Sequence, residues 1–454
     1  MSKEHWATDT INNIIYSVPT GVNNYRGKKK YYSTGSIQKS KHVEEGEFLF
    51  HEKPSRANRI ALLNDVFQAR MKNTNKPILI DKSLEGYLFS TGFLQLRPYG
   101  ETYNPRLLYY YIQSKAFITQ KDDLATGSTQ EALTDTNAVN LEFPLPPLKE
   151  QKRIVEKLDT IVPKVKNVTA RLEKIPAILK RFRQSVLEAA CSGILTEDWR
   201  EGKGLNEYGE EDLPNGWKWI EVRELMPKGG IFDGPFGSNL KTSDYRDNGI
   251  RVIRLENIGH LLFVSEKESF VSKEKYLTLI KHTVEEGDII FSSFITDEIR
   301  ACILPRLSVK AIAKADCFTI RPNEKTINKK YLLYNLVCKE SFNQLTEHIH
   351  GVSRPRINTT QLKKLKIRLC SPIEQEEIVH RIGILFKLAN SFETKYKKAM
   401  EKVEKIEQAV LAKAFQGELV EADPNDEPAE ELLKKILAEK AKLNSKTRKR
   451  KREI

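Results

Sequence analysis

LKEQKRIVEKL at residues 148–158 is followed, 224 positions later, by PIEQEEIVHRI at residues 372–382. Such self-similarity at a fixed offset marks a chain built from two copies of one unit, and it governs the reading of everything around it. The same offset carries Arg97-Pro98 onto Arg321-Pro322, Leu108 and Tyr110 onto Leu332 and Tyr334, and Gly127 onto Gly351. It also carries Leu133 onto Ile357, Val186-Leu187 onto Val410-Leu411, and Gly193 onto Gly417. Upstream, VEEGEFLF (residues 43–50) matches VEEGDIIF (residues 284–291) at an offset of 241, so the second copy is expected to lack 17 residues between there and Arg321. Each half has a variable front and a constant back.

The constant back carries an apolar seam of alternating four- and three-residue steps: Ile154, Leu158, Ile161, Val165, Val168, Leu172, Ile175, Leu179, Phe182 and Val186. The second copy gives Ile378, Ile382, Leu385, Ala389, Phe392, Tyr396, Ala399, Val403, Ile406 and Val410. That spacing predicts long helices that form a coiled coil, the alternative being two amphipathic helices on separate cores. Pro163 and Pro176 interrupt the first seam and can kink it. Gly193 and Gly417 are expected to end the helices. At ~1.5 Å per residue each helix is roughly 60 Å long. A short linker spans roughly 55 Å only when fully extended, so antiparallel pairing is expected, with one globule at each end of a rod about a pseudo-two-fold axis.

The fronts read as mixed α/β globules, with short β-branched and aromatic runs (Lys30–Ser33, Glu47–Phe50, Arg251–Arg254, Asp288–Phe291) between Gly, Asn and Pro turns. The expected fold class is α+β: two mixed α/β domains separated by two long helices in an antiparallel coiled coil. The boundaries are a first domain at 1–148, a first helix at 149–197 and a linker at 198–212. A second domain at 213–371 and a second helix at 372–420 follow, then a short C-terminal helix at 421–443 and a basic tail at 444–454.

The net charge of +14 suggests a polyanionic partner, but Lys440, Lys442, Lys446, Arg448, Lys449, Arg450, Lys451 and Arg452 supply half of it after Glu453 is subtracted. This tail run serves either as a nonspecific DNA contact or as a solubilising tail. Before it, Glu430, Leu432, Leu433, Ile436, Leu437 and Leu443 can form an amphipathic helix that docks on the coil or on a partner. Cys191, Cys302, Cys317, Cys338 and Cys370 show no CxxC or Cys/His ligand spacing. With no apolar leader and no stretch of roughly 20 apolar residues, a cytoplasmic location without membrane contact is expected.

Catalytic constellations are missing from the sequence: there is no GxxxxGK[ST], HExxH or G-x-S-x-G, and Asn104-Pro105 does not complete the motif that amino-group methyltransferases use to hold a flipped base. His348 and His350 lack acidic or Cys partners at ligand spacing. The Gly-rich stretch 229–239 lacks the Lys-Ser/Thr of a phosphate cradle and reads as a structural turn or a DNA-facing loop. No catalytic or metal residue is nominated.

The chain resembles the specificity subunits of Type I restriction-modification systems. The resemblance rests on the order of domains and helices, LPNGWKW (213–219), DGPFGSNL (233–240) with DNGIRVIRLENI (247–258), PPLKEQ (146–151), PIEQ (372–375) and NDEPAEELL (425–433). The first domain departs from the pattern, because residues 1–30 hold neither LPxGW nor DGPFGS, although 31–37 aligns with 252–258. The resemblance implies that each domain reads one half of a bipartite duplex DNA site, while the helices set the spacer and dock two modification (adenine methyltransferase) subunits. S-adenosylmethionine, ATP and Mg would belong to the modification and restriction subunits, with no cofactor in this chain. The rival readings are a fused methyltransferase-specificity enzyme and a structural coiled-coil scaffold.

Phosphate contacts need cations, and base readout needs Arg, Lys, Asn or Gln reaching a groove. In the first domain the DNA-binding candidates are Lys28, Lys29, Lys30, Arg56, Arg59 and the loop Gly127, Ser128, Thr129, Gln130. In the second they are Ser238, Asn239, Lys241, Arg246, Arg300 and the equivalent loop with Gly351, Ser353, Arg354 and Arg356.

Overall fold

A computed structural model describes residues 5–37, 44–205, 209, 213–236, 239–347 and 355–450, with the backbone alone for 443–450. The chain divides into two compact units, 1–173 with 398–454, and 174–397. Each holds one α/β domain and part of the long helices, as the repeat requires.

The first unit contains two four-stranded sheets. In one, Val66–Ala69 lies between Phe93–Pro98 and Ile78–Leu79; in the other, Lys29–Tyr32 runs parallel to Leu88–Ser90. The second unit repeats this plan. Ile289–Ser292 lies between Cys317–Ile320 and Ala301–Ile303, and Ile250–Ile253 runs parallel to Ala311–Ala313. Registers agree residue by residue: Val66 faces Leu96 as Ile289 faces Ile320, and Tyr31 faces Leu88 as Val252 faces Ile312.

A turn enters each central strand. The Asp65 carboxylate accepts from the amide of Leu62 at 2.9 Å, and Asp288 accepts from that of Glu285 at 2.8 Å. Between them sit Asn64 (φ 69°) and Gly287 (φ 92°), a left-handed position that Asn and Gly tolerate best. Each aspartate then binds an arginine at the end of the neighbouring strand, Asp65 to Arg97 at 2.6 Å and Asp288 to Arg321 at 2.8 Å.

These pairings correct one sequence alignment. VEEGDIIF leads into the interior strand Ile289–Ser292, whose counterpart is Val66–Ala69 at an offset of 223. Gly46–Phe48 of VEEGEFLF is instead an edge strand beside Lys29–Tyr31. No 17-residue deficit exists. A short apolar run preceded by acids suits an edge strand and an interior strand equally, and only the hydrogen-bond register tells them apart.

The domain openings also correspond. Ala7–Thr10 pairs with Glu142–Leu145, and Lys218–Glu221 pairs with Lys366–Leu369. Trp6 therefore stands where Trp217 of LPNGWKW stands, and it is the remnant of that signature in the first domain.

The long helices are α1 (Leu148–Leu172), α2 (Ile175–Ser192), α3 (Pro372–Phe415) and α4 (Ala429–Arg450). The first seam is not one unbroken helix, because it parts at Glu173-Lys174. Pro176 lies in the first turn of α2, where its missing N–H costs nothing, whereas Pro163 is carried inside α1. Gly193 (φ 87°) and Gly417 (φ 74°) take the left-handed conformation just past the ends of α2 and α3.

Pairing is antiparallel in both units, by exchange of equivalent partners. In the first, Ile154, Val155, Leu158 and Val162 of α1 share a core with Leu411, Ala414 and Phe415 of α3. In the second, Ile378 and Ile382 of α3 share a core with Val186, Leu187, Ala190 and Cys191 of α2. Burial is strong at these ends and thin between them: contrary to the expected seam, Val168, Phe392 and Ile406 are exposed at 45%, 51% and 49%.

Helix α4 reaches Arg450, past the expected boundary at 443. Leu432 and Ile436 are buried against the first unit's own core, and Leu437 is 45% exposed. The first helical stretch ends at Ser192, short of the expected 197, in a turn at Ile194–Thr196, and the expected linker begins folded, in a short helix at Glu197–Glu201 that buries Arg200.

Candidate nucleic-acid interface

The repeated Glu-Gln step fastens each domain to its helix. Gln151 accepts from the Asn104 amide at 2.8 Å and donates to the Pro146 carbonyl at 3.0 Å. Gln375 does the same with Asn328 at 2.8 Å and Cys370 at 2.9 Å. The neighbouring Glu374 is buried and accepts from Arg200, Thr196 and the Trp217 indole at 2.6, 2.8 and 2.9 Å, while Glu150 pairs with His5 at 2.7 Å. The sequence motif is therefore structural, and it sets the pose of the domain against the helix.

Among the first-domain candidates, Lys28 and Arg56 are exposed and Lys29 and Lys30 half-buried. Lys29 donates to the Gly86 carbonyl at 3.0 Å, and Lys30 pairs with Glu44 at 2.9 Å. Arg59 is misplaced by the sequence reading. It is 1% exposed, its Nη1 donates to the Val18 carbonyl at 2.7 Å, and burial followed by the nearby Arg70 charge lowers its pKa to about 10. Its counterpart His282, half-buried, binds the Asp233 carbonyl at 2.7 Å, so both side chains are engaged in tying down a strand exit. Gly127, Ser128, Thr129 and Gln130 form an exposed tip closed by a reciprocal backbone pair between Thr126 and Ala132.

In the second domain Asn239, Lys241 and Arg246 are exposed, with Arg246 folded onto the Ser243 and Tyr245 carbonyls at 2.8 Å. Arg300 is half-buried and held by Ser292 Oγ at 3.2 Å. Ser238, Gly351, Ser353 and Arg354, like His348 and His350, lie outside the described residues. Arg356 is described and does not stand alone. Its Nη2 lies 2.5 Å from Asp316 Oδ1, and its guanidinium sits 5.7 Å from the Phe236 ring and 6.0 Å from the Phe294 ring. Asp316 also accepts from Ser293 Oγ at 2.9 Å, and its backbone is left-handed at φ 71°. Asp233 Oδ1 accepts from the Asp316 amide at 2.9 Å and the Gly234 amide at 2.7 Å. Burial, and then the Asp316 charge, push the Asp233 carboxyl up to about 6.

Asp233, Phe294 and Asp316 are absent from the sequence candidates, and Phe236 was quoted only as part of a loop. Their sole sequence signal is the DGPFGS run, because the strands that bring Phe294, Asp316 and Arg356 beside it are up to 120 residues away. The first domain has the same frame with other side chains. The bridge Phe294–Arg356 corresponds to Met71–Ala132, and Asp316 corresponds to Gly92. There the nearby cation is Arg70, which turns inward to the Phe93 carbonyl and to Asp135.

No group of three or more potential metal ligands occurs among the described residues, and all five cysteines are free and buried. No described helix is long and apolar enough to cross a membrane.

The domain described as the Type I restriction modification DNA specificity domain matches residues 24–177 and 216–402. The chain belongs to the Type I specificity-subunit family. The Type I specificity subunit EcoBI of Escherichia coli is 30% identical over 377 residues, covering 78% of this chain and 75% of that protein. The MjaVIII specificity subunit of Methanocaldococcus jannaschii is 23% identical over 371 residues, covering 77% and 82%. A chain from a structure on complex assembly and conformational transition of the type I R-M system superposes with a TM-score of 0.68 at 21% identity, over 92% of this chain and all of that one. The HsdS subunit from Thermoanaerobacter tengcongensis gives 0.52 at 21% identity, over 92% and 98%. These structural likenesses support the fold of this specificity subunit: two α/β domains joined to long helices.

Proposed function

We propose that this chain is the recognition subunit of a Type I restriction-modification complex and reads a bipartite duplex DNA target, one half-site per domain. One observation carries this reading: two copies of a single backbone frame present different chemistry at the same place, Arg356 with Asp316 and Phe294 in one, Ala132 with Gly92 and Met71 in the other. A scaffold has no use for that difference, while a reader of two unlike half-sites requires it. The long helices set the spacing of the half-sites and, together with the fastened Glu-Gln junctions, dock two modification subunits; restriction subunits join that complex in the cytoplasm. Catalysis, with S-adenosylmethionine, ATP and Mg, belongs to those partners, and this chain is non-catalytic.

The test is to co-express the chain with its modification subunit and read methylated adenines across the host DNA. A split motif of two unlike halves with a fixed spacer is expected. An unsplit motif or methylation without sequence preference overturns the reading, and S-adenosylmethionine binding by the purified chain alone overturns its non-catalytic part.

A further inference from the structure

We infer that Arg356 is the base-reading side chain of the second domain, directed at a guanine, and that Asp316 is its positioning residue. This rests on the proposed DNA-reading function. The argument turns on what a phosphate contact and a base contact each require. A phosphate attracts net positive charge, and an arginine already paired with a carboxylate at 2.5 Å has little to offer it. A base edge asks instead for donors held in a plane. Guanine O6 and N7 take a bidentate arginine, the commonest specific contact in the major groove.

The surroundings of Arg356 supply that plane. Asp316 takes one Nη2 donor and leaves the rest of the guanidinium fork available, and the rings of Phe236 and Phe294 flank the group and restrict its rotamers. The side chain remains 46% exposed and Phe236 51% exposed, so the assembly opens to solvent rather than into the core. Fixing a long side chain in advance removes entropy that binding would otherwise lose. The device is also built from below: Asp233 holds the Asp316 amide and Ser293 holds its carboxylate, in a left-handed backbone that residues other than glycine adopt uncommonly. An ordinary surface ion pair has no such foundation. At the matching place the first domain has Ala132, so the contact belongs to one half-site alone.

The test uses the full chain with its modification subunit, comparing R356A, R356K and D316N with the wild type by motif sequencing and by binding to targets altered one base pair at a time. Circular dichroism melting of each variant monitors folding. R356A is expected to reduce discrimination at one G·C position of one half-site roughly ten- to a hundredfold. R356K should behave like R356A, because a lysine keeps the charge and loses the fork. D316N should relax the same position by less, with the other positions unchanged. Near-wild-type discrimination in R356K, or a loss spread over all positions or both half-sites, overturns the inference. A wild-type protein without a split motif instead overturns the function on which it rests, and the two failures are thereby distinguished.

Discussion

Arg200 and Glu374 form a buried ion pair, with Nη1 2.6 Å from Oε1 and side chains 2% and 5% exposed. It joins the short helix Glu197–Glu201 to the first turn of α3 within one unit. Removing one partner leaves an uncompensated charge, which typically costs about 3–5 kcal/mol. Arg200→Ala should therefore destabilise the second unit by that order, and hydrogen exchange should show the loss around 194–225 and 365–385. His5→Ala, which deprives Glu150 of a half-exposed partner that water can replace, should cost less. Equal losses would show that the pair is not what holds the junction.

Asp233 gives the second domain a pH dependence of known sign. Its folded pKa near 6 exceeds the ordinary value near 3.9, so between about pH 4 and 6 the native state holds more protons than the unfolded one. Stability contributed by this group is full below pH 4 and is lost as pH rises through 6. Asp233→Asn keeps the acceptor for Gly234 and Asp316 and removes the ionisation. It should flatten the denaturation profile across that window and raise stability at pH 7 by about 1–2 kcal/mol, after discounting for partial exposure. A steeper profile in the variant would refute the assignment.

The helix seam should be energetically uneven. Leu158 is fully buried in the first unit's core, and truncation to Ala should cost about 2–5 kcal/mol in urea denaturation. Val168, one face along the same seam and 45% exposed, should change stability by less than about 0.5 kcal/mol on the same substitution. Similar losses at both positions would mean that the sequence periodicity, and not the observed burial, describes the packing.

Residues 1–200 contain both partners of the exchanged helix contact: Ile154, Val155 and Leu158, and also Leu187, Ala190 and Cys191, the counterparts of Leu411, Ala414 and Phe415. Two copies can therefore satisfy each other antiparallel under a true two-fold axis. The fragment should be a dimer in light scattering and, with the modification subunit, should select a palindromic split site, because protein symmetry is mirrored in the operator. A folded monomer, or a dimer with an asymmetric motif, would contradict quasi-equivalence of the halves.

The sequence by itself determined the duplication, the antiparallel helices and their Gly193 and Gly417 ends, because a constant offset, an apolar period and a left-handed cap are local or repetitive signals that survive without coordinates. It also exposed the Glu-Gln step of each helix, but not its job: Gln375 matters through the amide of Asn328, 47 residues away, and no spacing announces that bond. Tertiary structure alone decided the rest. It turned Arg59 from a surface cation into an internal tie, since burial depends on which sheet covers a strand. It split the first seam before Pro176 and left Val168 bare. And it assembled Asp233, Phe236, Phe294, Asp316 and Arg356 from four separate segments, because strand pairing brings distant residues together while the sequence records only neighbours along the chain.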